Sequence, residues 1–123
     1  MQDFKRIQAW QRSHALAIAL HGVARYFGKA GHAHLRSQLT RAADSFATNI
    51  VDGCGKASRK EFARYLDIAI KSASETEYHL IAARDLRLVS PTDAQRLTSE
   101  VVEIRKMVHG YRKKILKTID PSP

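Results

Sequence analysis

Apolar residues recur at steps of three and four positions in four successive segments of this 123-residue chain. The first, second and fourth of these stripes span residues 10–27, 35–50 and 97–115. The third stripe is the most regular. Its members are Phe62, Leu66, Ala69, Ala73, Thr76, Leu80 and Ala83. Because this spacing places apolar side chains on one face of a helix, it predicts four amphipathic helices.

Glycine and serine residues separate the first three stripes. The first helix is predicted to end at Gly28, and Gly53 with Gly55 is predicted to stop the second, because glycine relieves the backbone strain of a helix end. Ser58 followed by Glu61 has the spacing of a capping box. A third helix is therefore expected to begin there.

Proline after serine marks the start of the fourth helix, since Pro91 at the first helical position gives up an amide that has no partner there. Helices joined by such short connections run antiparallel to their neighbours. The sequence thus predicts an all-α fold, an antiparallel up-down-up-down four-helix bundle. We expect one domain over residues 1–119 and a short flexible tail at 120–123.

The composition favours a soluble cytoplasmic protein. Hydrophobic residues make up 44% of the chain, enough for a core without metal or disulfide support. Cys54 is the single cysteine, so no internal disulfide is possible and no oxidising compartment is indicated. The uncharged stretches are shorter than the ~20 apolar residues that a membrane span needs, and no secretion signal is visible.

The charge balance points to an acidic partner. The chain has 21 Lys and Arg against 12 Asp and Glu, a net charge of +9, and a pI near 10.1. A phosphate backbone is the commonest such partner, because neutralising phosphates releases condensed counterions. One basic run contains Lys56, Arg59, Lys60 and Arg64, and a second contains Arg105, Lys106, Arg112, Lys113, Lys114 and Lys117.

The segment Gly53–Ser58 looks at first like a phosphate-binding loop. Ile50 stands where a Walker A loop needs glycine, Ala57 stands where Ser or Thr should follow, and no strand precedes the segment. A turn between two helices is therefore the better interpretation. A weaker possibility stays open, in which amides at the start of the third helix receive a phosphate together with nearby basic side chains.

No pattern of catalytic or metal-binding residues emerges. The six histidines lack the spacing of a metal site, and Cys54 has no catalytic histidine fixed near it by the sequence. We therefore expect no catalytic residue, no cofactor, no metal and no enzymatic activity. Trp10 and Tyr111 lie on the apolar stripes, so we expect them to pack in the core. Tyr65, beside Arg64, lies off the main stripe, and stacking on nucleic-acid bases stays open as its role.

The segment from Arg41 to Lys56, RAADSFATNIVDGCGK, resembles the block R-A-A-x-S-I-x-x-N-I-A-E-G-x-G-R of a known family. Further matches are Phe4, Ile7, Ala9, Trp10, Leu35, Gln38, Leu39, Ser58, Glu61, Phe62, Leu66, Ala69, Ser72 and Glu75. This is the bacterial four-helix-bundle family named for the protein encoded in intervening sequences of 23S ribosomal RNA genes. It also includes the accessory variability determinant of diversity-generating retroelements.

The resemblance implies a homopentamer of four-helix bundles with a basic surface. Such a protein binds nucleic acid or, in the retroelement branch, a reverse transcriptase as well. Lys71 departs from the family pattern, because glycine is usual there and would allow a close helix contact. For Asn49 and Asp52 we favour a structural role, capping and hydrogen bonding to the turn, over a binding role.

Our first functional hypothesis is a non-enzymatic homo-oligomer that binds nucleic acid, and we favour RNA over DNA as the ligand. The alternative is a protein-interaction adaptor that docks a partner such as a reverse transcriptase. The residues predicted to contact phosphates are Arg41, Lys56, Arg59, Lys60, Arg64, Arg112, Lys113, Lys114 and Lys117.

Overall fold

The computed structural model describes residues 2–56 and 58–117. Within them, four helices follow a short 3₁₀ turn at Phe4–Arg6. They are α1 (Gln8–Ala24), α2 (Ala33–Cys54), α3 (Arg59–Asp85) and α4 (Pro91–Lys117). Each helix packs against the next, and α4 packs back against α1 to close the bundle. The predicted tail at 120–123 lies outside the described residues.

Ion pairs between neighbouring helices show the direction in which each helix runs. Glu77 and Asp67 of α3 pair with Arg105 and Arg112 of α4, at 2.7 and 2.6 Å. The residue numbers fall along α3 as they rise along α4, so the two helices are antiparallel. The predicted all-α, up-down-up-down bundle is confirmed.

One apolar core runs through the bundle and takes side chains from every helix. All seven residues of the third stripe are buried, as predicted. Trp10 and Tyr111, also predicted for the core, are only partly buried and pack at its edge. The Trp10 ring stacks on His14 at a centroid distance of 5.1 Å and meets the edge of Phe4 at 4.9 Å.

The first helix ends earlier than predicted. It stops at Ala24 and not at Gly28, and turns follow up to residue 31. The amide of His32 donates to the carbonyl of Phe27 at 2.8 Å, and Gly31 has a positive φ of 86°. This pattern is a Schellman turn, so the glycine that the chain reversal requires is Gly31. The same turn keeps Phe27 buried beyond the end of the helix.

Of the two glycines predicted to stop the second helix, Gly55 is its C-cap as predicted, whereas Gly53 lies inside it. Gly53 lies inside α2, which ends at Cys54, and it is buried. A Cβ atom on Gly53 would lie 2.7 Å from Cδ1 of Phe62 and 3.2 Å from Cβ of Tyr65. Gly53 is therefore needed because α3 packs directly against the backbone of α2 at this point.

Serine side chains cap the next two helices, as predicted for Ser58, and α4 starts at Pro91 as predicted. Ser58 Oγ accepts a hydrogen bond from the amide of Glu61 at 3.0 Å. The Glu61 carboxylate is engaged by Arg64, at 3.1 and 3.2 Å, and so differs from the reciprocal arrangement of a capping box. Ser90 Oγ accepts from the amide of Asp93 at 3.1 Å, and Pro91 is the first residue of α4.

Candidate nucleic-acid interface

Three parts of the chain that are distant in sequence meet at one end of the bundle. The up-down-up-down topology brings the chain start, the α2–α3 connection and the end of α4 to this end. A groove of about 270 Å³ joins them, lined by Gln2, Lys56, Arg59 and Ile115 among others. We call this end the basic pole and define it by Lys5, Arg6, Lys56, Arg59, Lys60, Arg64, Arg112, Lys113, Lys114 and Lys117.

Eight of the nine predicted phosphate contacts belong to the basic pole. Arg59 and Lys60 are exposed on the first turn of α3, and Lys113, Lys114 and Lys117 are exposed on the last turns of α4. The structure records no ion pair for these five side chains within residues 2–56 and 58–117. They are therefore available to an anionic partner.

Two arginines of the basic pole have carboxylate partners. Arg64 holds Glu61 at 3.1 Å, and its hydrogen bonds lower the pKa of that carboxyl group. Arg112 Nε lies 2.6 Å from Asp67 Oδ1 and so ties α4 to α3. These two cations are partly neutralised and contribute less to the positive field than their neighbours do.

Tyr65 lies under two cations of the basic pole. Lys56 Nζ is 4.7 Å from the centre of its ring, and Arg64 Cζ is 4.8 Å from it. Cation–π attraction of this kind holds both charges near the α2–α3 connection. In the structure Tyr65 therefore positions cations, whereas base stacking would require at least one of them to move away.

Cys54 lines the groove at the basic pole, and Tyr111 packs against Phe62, another of its lining residues. The Cys54 side chain is buried, and burial raises the pKa of its thiol to about 11. Burial also raises the pKa of Tyr111, whose ring meets the edge of Phe62 at 5.7 Å. Both groups are protonated at neutral pH, so neither supplies a nucleophile.

Arg41 does not join the other predicted contacts. It lies on α2 thirteen residues before Cys54, a distance of about 20 Å along the helix. It borders a separate polar groove between α2 and α3, whose other lining residues are Gln38, Ala42, Ser45, Glu75 and His79. The mixed charge of this groove makes Arg41 a poor candidate for a phosphate contact.

Two polar residues of the family-like segment in α2 form hydrogen bonds at or next to the contact with α3. Ser45 Oγ lies 2.8 Å from Ser72 Oγ of α3, and Asn49 Nδ2 donates to the Ser45 carbonyl at 2.8 Å. Asn49 therefore has a structural role, as predicted, but it bonds within α2 and not to the turn. Lys71 is exposed and lies outside this contact.

The structure also shows cations whose role the sequence did not reveal. Arg105 donates to Glu77 at 2.7 Å and to Ser74 at 3.2 Å, so it serves packing between helices. Lys106 is exposed seven residues before Lys113, on the same face of α4. The spacing of seven residues would have identified Lys106 as a further candidate for a phosphate contact. Lys5 and Arg6 join the basic pole only through the topology.

In the described part of the chain, no group of three or more His, Cys, Asp or Glu side chains is placed to hold a metal ion. None of the four described helices has a stretch long and apolar enough to cross a membrane.

Comparison with known proteins identifies relatives. Residues 5–110 match the protein family described as 23S rRNA-intervening sequence protein. A similar fold occurs in a crystal structure of a protein with unknown function from the S23 ribosomal protein family of Bacteroides thetaiotaomicron. The TM-score is 0.81 at 23% sequence identity, covering 85% of this chain and 98% of that one. No curated protein matches the chain.

Proposed function

The chain belongs to the family of 23S rRNA-intervening sequence proteins, and from this premise we propose that it is a non-enzymatic RNA-binding protein of the cytoplasm. It holds RNA phosphates at the basic pole. DNA is the second candidate ligand, because phosphate contacts alone do not distinguish the two.

The single observation that carries this proposal is the convergence of exposed cations at the basic pole. The α2–α3 connection and the end of α4 are about 55 residues apart in the chain, yet both border one end of the bundle. Scattered lysines would only keep a protein soluble. A cluster drawn from separate elements produces a local positive field that attracts a polyanion.

The exposure of these cations favours phosphates as the ligand. Exposed Lys and Arg side chains stay hydrated until they bind a phosphate. The phosphates of a nucleic acid carry condensed counterions, and binding releases these ions, which supplies the binding free energy. Arg59 and Lys60 also lie on the first turn of α3, where helix amides favour negative charge. The basic pole therefore suits contacts to a nucleic-acid backbone.

Charge reversal tests this assignment. We expect Arg59→Glu/Lys60→Glu to weaken binding to a 23S rRNA fragment by about tenfold or more, since each lost phosphate contact removes a counterion-release contribution. The matched control is Arg25→Glu/Lys29→Glu, which changes the net charge equally at the opposite end of the bundle. Electrophoretic mobility shift at fixed salt measures both. Equal losses in the two variants would contradict the assignment to the basic pole.

We further propose that copies of the chain associate through the exposed face of α1. Arg12 is the only Lys, Arg, Asp or Glu in this helix, and it is paired with Glu100 at 2.6 Å. Ile18 is 61% exposed on this helix. Chains of net charge +9 repel one another least across such a face. The resemblance implies that the assembly is a pentamer. Light scattering tests the proposed face, and we expect a smaller particle mass for Ile18→Glu than for wild type.

The same uncharged face supports the alternative function, a protein-interaction adaptor. A partner such as a reverse transcriptase would then cover Ile18 while the basic pole contacts RNA held by that partner. An RNA-binding measurement on the isolated wild-type protein, with no partner present, distinguishes the two functions. Binding of RNA by the isolated protein supports the first function, and its absence favours the adaptor.

A further inference from the structure

A shallow cleft lies on the outer face of α4 near its end. Its volume is about 550 Å³. It is lined by His109, Gly110, Arg112, Lys113, Leu116 and Lys117. Its rim is cationic, and the backbone of Gly110 with the side chain of Leu116 adds an apolar part to its wall.

Nothing among residues 2–56 and 58–117 explains the glycine at position 110. It lies in the interior of a 27-residue helix, where glycine is less stable than alanine because it gives up more backbone entropy. A Cβ atom at this position would meet nothing within 4 Å, whereas one at Gly53 would collide with Phe62. Packing thus accounts for Gly53 but not for Gly110.

Cations stand on both sides of the bare backbone at Gly110. Lys106 precedes it by four residues, and Lys113 and Lys117 follow it by three and seven, so all lie on one face of α4. The three lysines are exposed and span about 16 Å along the helix. The series forms a linear track of positive charge with a depression in it.

We propose that this depression seats the sugar–phosphate backbone of the bound RNA strand. The missing side chain at Gly110 lets a ribose approach the helix backbone, while Lys106 and Lys113 neutralise the phosphates on either side. The inference rests on the proposed function, and it adds the place and the direction of the strand: along α4, across Gly110.

Adding bulk at Gly110 without changing the charge tests the proposal. We expect Gly110→Ala to weaken RNA binding moderately and Gly110→Leu to weaken it by about tenfold, the loss when one close contact is forced apart. The midpoint of thermal unfolding should be equal to or higher than that of wild type, because Ala and Leu are better helix formers than Gly. A binding loss together with retained stability excludes misfolding as its cause.

The matched control is Ser99→Leu. Ser99 is exposed on the same face of α4, eleven residues before Gly110 and away from the lysine track. This variant should bind RNA as wild type does. If Gly110→Leu also binds as wild type does while Arg59→Glu/Lys60→Glu binds weakly, the seat at Gly110 is wrong and the proposed function stands. If wild type itself does not bind RNA, the proposed function fails and the seat fails with it.

Discussion

Glycine has opposite roles at different positions in these helices. At Gly53 the space that a side chain would occupy is filled by Phe62 and Tyr65, so the residue is part of the α2–α3 contact. At Gly22 and Gly110 that space is open. The residue type alone therefore does not show whether a helical glycine serves packing, and the sequence-based interpretation of Gly53 as a helix stop was wrong for this reason.

Substitution of these glycines by alanine should change stability in opposite directions. We expect Gly53→Ala to lower the free energy of unfolding by about 1–3 kcal/mol, because the new methyl group would push against a ring in the core. Gly22→Ala should raise the free energy of unfolding by about 0.5–1 kcal/mol, since alanine loses less backbone entropy in a helix and its methyl group displaces no neighbour. Urea unfolding measures both. A Gly53→Ala protein as stable as wild type would contradict the close packing described here.

The buried thiol of Cys54 predicts a loss of stability at high pH. Its pKa is raised from 9.0 to about 11 by burial, so the folded protein holds this proton more tightly than the unfolded chain does. The contribution is complete below pH 9 and declines as the pH rises toward 11. As the pH rises over that interval, the free energy of unfolding of wild type should therefore fall relative to that of Cys54→Ala. A difference that stays constant would show that the thiol is not shielded.

At the scale of the helices, the interiors could be predicted from the sequence and several ends could not. The stripe from Phe62 to Ala83 follows from helical periodicity, which depends on many residues at once. The chain reversal after α1 depends on one backbone angle, that of Gly31, and no periodic pattern reports it. The caps at Ser58 and Ser90 were predictable because a side-chain oxygen at a fixed spacing makes them.

The end of α3 repeats the turn that follows Phe27 but without glycine. The amide of Leu88 donates to the carbonyl of Ala83 at 2.9 Å, and Arg87 has a positive φ of 61°. A side chain in this left-handed conformation is strained, and glycine is the usual residue there.

Arg87→Gly should accordingly stabilise the protein by about 1 kcal/mol, because glycine adopts the required angle without strain. Gly31→Ala, at the equivalent position after α1, should destabilise it by a similar amount. Thermal or urea unfolding of the two variants checks the pair. If Arg87→Gly were less stable than wild type, the arginine side chain would have a stabilising role that outweighs the strain.

At the scale of the whole molecule, topology produces the candidate site. The two basic runs were visible in the sequence, but their meeting at one end follows only from three chain reversals. Arg41 shows the limit of sequence reasoning, since it is close to the first run in sequence but faces a different groove. Lys5 and Arg6 show the converse, because only the fold brings them to the basic pole. The residue types could be predicted, whereas their grouping required the architecture.

The dependence of RNA binding on salt tests the central claim most directly. The binding constant for a single-stranded 23S rRNA fragment should fall linearly in a log–log plot against salt concentration, by about 0.7 per phosphate neutralised. We predict that Lys113→Ala/Lys117→Ala reduces the magnitude of this slope by about 1.4, and that Arg25→Ala/Lys29→Ala leaves it unchanged. A binding constant independent of salt, or an equal change of slope in both variants, would contradict the claim that the fold gathers its phosphate-binding cations at the basic pole.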